Sequence, residues 1–72
     1  MTIKEFFGNY KHYYDIYVSI YDENNRSISG RDIWNCEKFD EFIEDYGDKE
    51  FKDWTVEYRD ECTQFHFFLK SV

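Results

Sequence analysis

The chain predicts an α+β fold: an antiparallel four-stranded sheet made of two hairpins, one amphipathic helix between them packed on one face, and a short helix at the N-terminus. Three observations predict it. Hydrophobic residues alternate with period two over Tyr13 to Tyr21 and again after Phe51, the pattern of half-buried strands. Between them, Phe39, Phe42, Ile43 and Tyr46 recur at i, i+3, i+4 and i+7, the spacing of one helix face. A chain of 72 residues with no proline and only three glycines has length for one core and shows no linker. Residues 1–72 therefore read as a single domain.

Each element has a local reason. Thr2 and Glu5 have the spacing of a capping box, and Ile3, Phe6, Phe7 and Tyr10 follow at helical intervals; Gly8 weakens that helix and leaves a strand as the alternative. The first strand places Tyr14, Ile16, Val18 and Ile20 on one face and Tyr13, Asp15, Tyr17, Ser19 and Tyr21 on the other. Asp22-Glu23-Asn24-Asn25 supplies turn residues, and Arg26 to Ile33 returns as a second strand in which Gly30 marks a bulge or an early end. Asn35 is placed to cap the central helix, and Gly47 sits where a left-handed residue would end it. Trp54, Val56 and Tyr58 then form one strand face, Asp60-Glu61 turns the chain, and Phe65, Phe67 and Leu69 complete the matching face of a second hairpin.

Charge is the most informative property of the sequence. Nine Lys and Arg stand against sixteen Asp and Glu, a formal net charge of −7. Residues 1–36 hold four basic and five acidic groups, 37–61 four and eleven, and 62–72 one and none, so the deficit is concentrated between Glu37 and Glu61. Glu37, Asp40, Glu41, Glu44, Asp45 and Asp48 fall opposite the apolar stripe of the central helix, although Asp48 lies past Gly47. A solvated face normally interleaves lysines at i+4, and this one has only Lys38. Carboxylates recur instead at 37/41, 40/44, 41/45 and 44/48, each pair costing roughly 0.2 to 0.5 kcal/mol. A small domain that carries this cost is expected to use the charge, as a binding surface or for solubility, to which added Asp and Glu also contribute. Polyanions would be repelled, so the expectation is a basic partner, without direct binding of nucleic acid or of an anionic membrane.

Aromatic residues are in surplus: eight Phe, seven Tyr and two Trp exceed what a helix-on-sheet core of this size needs. Some must therefore reach the surface. Tyr13, Tyr17, Tyr21 and Phe68, with His66, fall on the sheet face opposite the inferred core; either the N-terminal segment covers them or they make a second candidate interface, through which a homodimer or a larger assembly would form.

Motifs for chemistry are missing. The sequence contains no phosphate-binding loop, dinucleotide fingerprint, H-E-x-x-H or G-x-S-x-G. His12, Cys36, Cys62 and His66 lack the spacing of a zinc site. Cys62 and His66 share a strand face but have no marked orienting group, and the paired carboxylates lie on an open helix surface. The expectation is a non-enzymatic protein with no catalytic residues, metal or cofactor. Two cysteines fit reduced thiols better than a disulfide scaffold. The start, Met1 to Tyr10, lacks the order of a secretory signal, and the uncharged runs Ile16 to Tyr21 and Cys62 to Leu69 fall short of the ~20 apolar residues of a membrane span, so a cytoplasmic location is expected.

In size and charge texture across its whole length, with Glu37-Lys38-Phe39-Asp40-Glu41-Phe42-Ile43-Glu44-Asp45-Tyr46-Gly47-Asp48 at its centre, the chain resembles the small acidic inhibitors that phages direct against host defence, the anti-CRISPR and antirestriction proteins. The resemblance implies a DNA mimic that occupies the basic nucleic-acid groove of a Cas effector or restriction enzyme, acting in the host cytoplasm. Its acidity is confined to the middle third, which implies a local groove. The partner-binding residues expected on this reading are the six helix carboxylates, with Asp53, Glu57, Asp60 and Glu61 as a secondary patch.

Overall fold

A computed structural model of the chain describes residues 1–8 and 15–70. Among these residues the elements run α1 (Ile3–Phe7), β1 (Ile16–Tyr21), β2 (Ser27–Ile33), α2 (Cys36–Tyr46), β3 (Phe51–Arg59) and β4 (Cys62–Leu69). Tyr10, Tyr13 and Tyr14 lie outside the described residues. The capping box forms as its spacing predicts: Glu5 N–H donates to Thr2 Oγ1 at 3.1 Å, and Thr2 N–H donates to Glu5 Oε1 at 2.8 Å. Gly8, at φ 56°, ends this short helix with its N–H on the Lys4 carbonyl. Asn35 caps α2, its side-chain oxygen accepting from Lys38 N–H at 2.9 Å.

The sheet is mixed, in the order β2-β1-β4-β3. Both hairpins are antiparallel, but β1 and β4 pair in parallel, with Val18 opposite Phe65 and Ile20 opposite Phe67. This corrects the expectation of a purely antiparallel sheet. The reason lies in side-chain charge: β1 and β4 carry no charged residue and take the two central places, while β2, with Arg31 and Asp32, and β3, with Lys52, Asp53, Glu57 and Arg59, are left to the edges.

Ile16, Val18 and Ile20 of β1, Ile33 of β2 and Phe67 of β4 share one face of the sheet, and they form a single buried cluster with Ile3 and Phe7 of α1 and Phe39 and Phe42 of α2. Phe6 lies edge-on to Phe51, Trp54, Phe65 and Phe67, so α1 also sits on that face.

Three local expectations change. Gly30 is neither a bulge nor an end; it pairs with Ser19 inside β2, and a Cβ there would collide with the Tyr17 hydroxyl. The register shift falls instead between Ile20 and Tyr21, across from Ile28. Gly47 is right-handed, at φ −58°. It is buried where α1 docks, its carbonyl accepting from Lys4 N–H at 2.8 Å, and close approach to Ile43 rather than a positive φ excludes a side chain. Trp54, Val56 and Tyr58 do share the face of Phe65 and Phe67, yet they are 41%, 49% and 73% exposed, because β3 lies at the sheet edge beyond most of the helical cover.

Candidate functional site

The carboxylates of α2 are held outward by the burial of Phe39 and Phe42: Glu37, Asp40, Glu41, Glu44 and Asp45 are all exposed. The helix ends at Tyr46, so Asp48, also exposed, belongs to the following turn. Two of these groups have cationic neighbours. Lys38 Nζ stands 3.5 Å from Glu41 Oε2, and Arg31 reaches across from β2 to Asp45. Arg31 also lies over the Tyr46 ring at 5.3 Å, which ties β2 to α2.

Between β2 and α2 runs an open groove lined by Arg31, Asp32, Trp34, Lys38, Glu41 and Glu44. Trp34 is 55% exposed, with Lys38 Nζ 5.2 Å from its ring centroid. A large aromatic side chain in water beside a charged groove matches the residue type that most often anchors protein interfaces. Asp32 and Trp34 also line a second groove, at the end of the sheet, together with Asp15, Asp60 and Glu61. The two grooves make one continuous acidic surface, from α2 across Asp32 and Trp34 to the β3–β4 turn.

The structure divides the secondary patch expected from the sequence. Asp60 and Glu61 join the acidic surface. Asp53 lies near the start of β3, toward the opposite end of the strand, roughly 20 Å away at 3.3 Å per residue. Glu57 is engaged on the sheet face opposite the core, where His66 Nε2 lies 3.1 Å from its Oε1 and Arg59 donates to its Oε2 at 3.4 Å. His66 Nδ1 lies 3.0 Å from the Tyr21 hydroxyl. For a neutral imidazole facing an ionised Glu57, this geometry has Nε2–H donating to Glu57 and Tyr21 O–H donating to Nδ1. Sequence spacing could not show this chain of contacts, because its members come from three strands.

Periodicity and charge spacing do not single out Asp15, Asp32 or Trp34. Asp15 and Trp34 border strand ends, and Asp32 occupies an ordinary strand position, so only the arrangement of the hairpins brings them beside Asp60 and Glu61. A signal exists in the backbone of that turn. Asp60 and Glu61 both occupy the left-handed region, at φ 55° and 61°. An Asn-Gly pair suits such a turn better, and Glu tolerates it poorly.

Tyr17, Tyr21 and Phe68 are half-buried rather than fully exposed. Tyr21 stacks on Phe68 at 4.7 Å and bonds His66, and Tyr17 lies over Gly30, so these aromatic side chains cover one another.

No protein-family model, curated protein or solved structure matches the chain.

The thiol of Cys62 lies within the acidic end of the sheet, donating weakly to the Asp15 carbonyl at 3.1 Å. Burial, and then the carboxylates of Asp32, Asp15 and Asp60, push its pKa up, which keeps it protonated and disfavours a nucleophilic role. Cys62 and His66 are four residues apart on one strand, roughly 13 Å, too far for a nucleophile–base pair. Among the described residues no three His, Cys, Asp or Glu side chains converge to hold a metal ion, and no helix is long and apolar enough to cross a membrane.

Proposed function

We propose that the chain is a non-enzymatic acidic inhibitor that binds a basic nucleic-acid-handling protein, of the Cas-effector or restriction-enzyme kind, and blocks its nucleic-acid groove as a local duplex mimic in the cytoplasm. The observation that carries this reading is the continuous acidic surface around exposed Trp34. An eleven-residue helix is about 16 Å long, a length over which duplex DNA presents roughly nine or ten phosphates. Along that length α2 offers Glu37, Asp40, Glu41, Glu44 and Asp45, extended by Asp48 beyond its end and by Asp32, Asp15, Asp60 and Glu61 around its flank. Carboxylates supply the long-range attraction, and Trp34 supplies apolar contact that a phosphate backbone cannot.

The proposal is tested by capture of purified, nucleic-acid-free Cas effectors and restriction enzymes on the immobilised protein, with affinity followed against salt. A true partner binds more weakly as salt rises. Trp34→Ala is expected to weaken it by roughly 30-fold, the equivalent of about 2 kcal/mol at an interface anchor. Affinity that ignores both salt and Trp34 would remove the acidic surface from the account.

A further inference from the structure

β3 is the outer strand on one side of the sheet, so one of its edges has no neighbouring strand among the described residues. At its start that edge is occupied: Phe51 N–H donates to the Met1 carbonyl, and Thr2 bridges Glu50. The β3–β4 turn fixes which backbone groups of the remainder face outward. Asp60 and Glu61, both at positive φ, form a two-residue primed turn whose flanking residues, Arg59 and Cys62, exchange both hydrogen bonds. Pairing alternates from there, so Thr55, Glu57 and Arg59 turn their N–H and C=O groups to β4, while Trp54, Val56 and Tyr58 turn theirs outward. The same three residues carry the exposed apolar side chains of the strand. Natural sheets normally blunt such an edge.

We propose that β3 pairs antiparallel with β3 of a second copy of this chain about a two-fold axis at Val56, joining the two sheets into one. Trp54 then lies opposite Tyr58 of the partner subunit and Val56 opposite the partner's Val56, on the helix-bearing face. Val56 and Tyr58 each bring a donor and an acceptor to a backbone ladder from both copies, and Trp54 brings its acceptor; its N–H, which donates to its own neighbour Asp53 Oδ1 at 2.8 Å, joins the ladder as that carboxylate turns to the partner. On the other face Asp53 lies opposite Arg59 of the partner subunit, and Arg59 opposite the partner's Asp53. This charge pattern selects the register. A slide of two residues in one direction sets Asp53 against the partner's Glu57, and in the other sets Glu57 against the partner's Glu57, each a like-charge cross-strand contact. The pairing is isologous and closed, so it stops at a dimer. Trp34 and α2 lie beside β2, at the far edge of the sheet, and the dimer leaves both copies of that surface open.

Sedimentation equilibrium of the parent up to millimolar concentration is expected to show a reversible monomer–dimer equilibrium. Val56→Lys places two ammonium groups together at the axis; Asp53→Arg and Arg59→Asp each create like-charge pairs. Each is expected to weaken the dimer by about tenfold or more, with circular dichroism unchanged at these exposed positions. The double charge swap Asp53→Arg/Arg59→Asp restores dimerisation if this register is right. A parent that stays monomeric, a dimer indifferent to Val56→Lys, or a double swap no better than either single variant overturns the proposal.

Discussion

Reversing Glu41 and Glu44 to Lys separates the stability of α2 from its use. In the parent helix, Glu37/Glu41, Asp40/Glu44 and Glu41/Asp45 are like-charge neighbours at i,i+4, whereas Asp48 lies outside the helix and does not count. Each pair moves from about 0.2 kcal/mol unfavourable to about 0.2 favourable, about 1.2 kcal/mol in all. Against this, the 3.5 Å Lys38–Glu41 pair is lost and replaced by two lysines at i,i+3, which takes back about 0.4 kcal/mol. The net gain is about 0.8 kcal/mol. Unfolding 72 residues releases about 0.15 kcal/mol/K of entropy at about 2.1 cal/mol/K per residue, so Tm should rise by about 5 °C at low salt. In about 1 M salt, where the Debye length is about 3 Å, most of the gain should disappear. Thermal melts by circular dichroism at both salt concentrations measure this directly. A variant less stable than the parent, or equally affected at both concentrations, would refute the reasoning that the acidic face is held at a cost in stability.

Other outcomes follow from burial, backbone strain and protonation. Phe42, with no exposed surface and ring neighbours Phe7, Phe39 and Tyr46, should lose roughly 3 to 5 kcal/mol on Phe42→Ala, and a melt within a few degrees of the parent would contradict its place in the core. Glu61→Gly relieves a left-handed non-glycine residue and should raise the denaturant midpoint by the equivalent of roughly 0.5 to 1 kcal/mol, while weakening any partner that uses the turn. Glu5 is held below the usual carboxylate range by the Thr2 backbone and hydroxyl, so its contribution is present above that range and is lost as pH falls through the lowered value. Cys62 has the opposite sign: its contribution is full below the ordinary thiol pKa and is lost as pH rises through the raised one. Denaturant midpoints across pH should therefore show Glu5→Gln, which removes the titrating carboxylate, flattening the acid limb and Cys62→Ala the alkaline limb.

Features decided within one turn of chain were legible in the sequence. The Thr2–Glu5 box, the Asn35 cap, the Phe39–Phe42–Ile43–Tyr46 stripe and the alternation of Ile16, Val18 and Ile20 all depend on neighbours a few residues away. Strand order does not, and the parallel β1–β4 pair could be reached only by asking which strands tolerate burial on both sides. The uncharged runs from Ile16 to Tyr21 and from Cys62 to Leu69 held that answer. Trp54, Val56 and Tyr58 alternate as core residues do, because period two reports which face a side chain takes and not whether a helix covers it. At the site, the helix carboxylates could be read from periodicity, while Asp15, Asp32 and Trp34 needed the sheet to bring strand ends together. Glu57 reads as a free surface carboxylate in the sequence, because its contacts with His66 and Arg59 arise only from pairing and strand geometry.

The central claim is that the acidic surface and nucleic acid compete for one site on a basic partner. Fluorescence anisotropy of labelled duplex DNA bound to the captured effector, titrated with the protein, tests it most directly. The account predicts stoichiometric release of DNA by the parent and little release by the Glu41→Lys/Glu44→Lys variant at equal concentration. A ternary complex in which the DNA stays bound while the parent protein saturates the effector would contradict it.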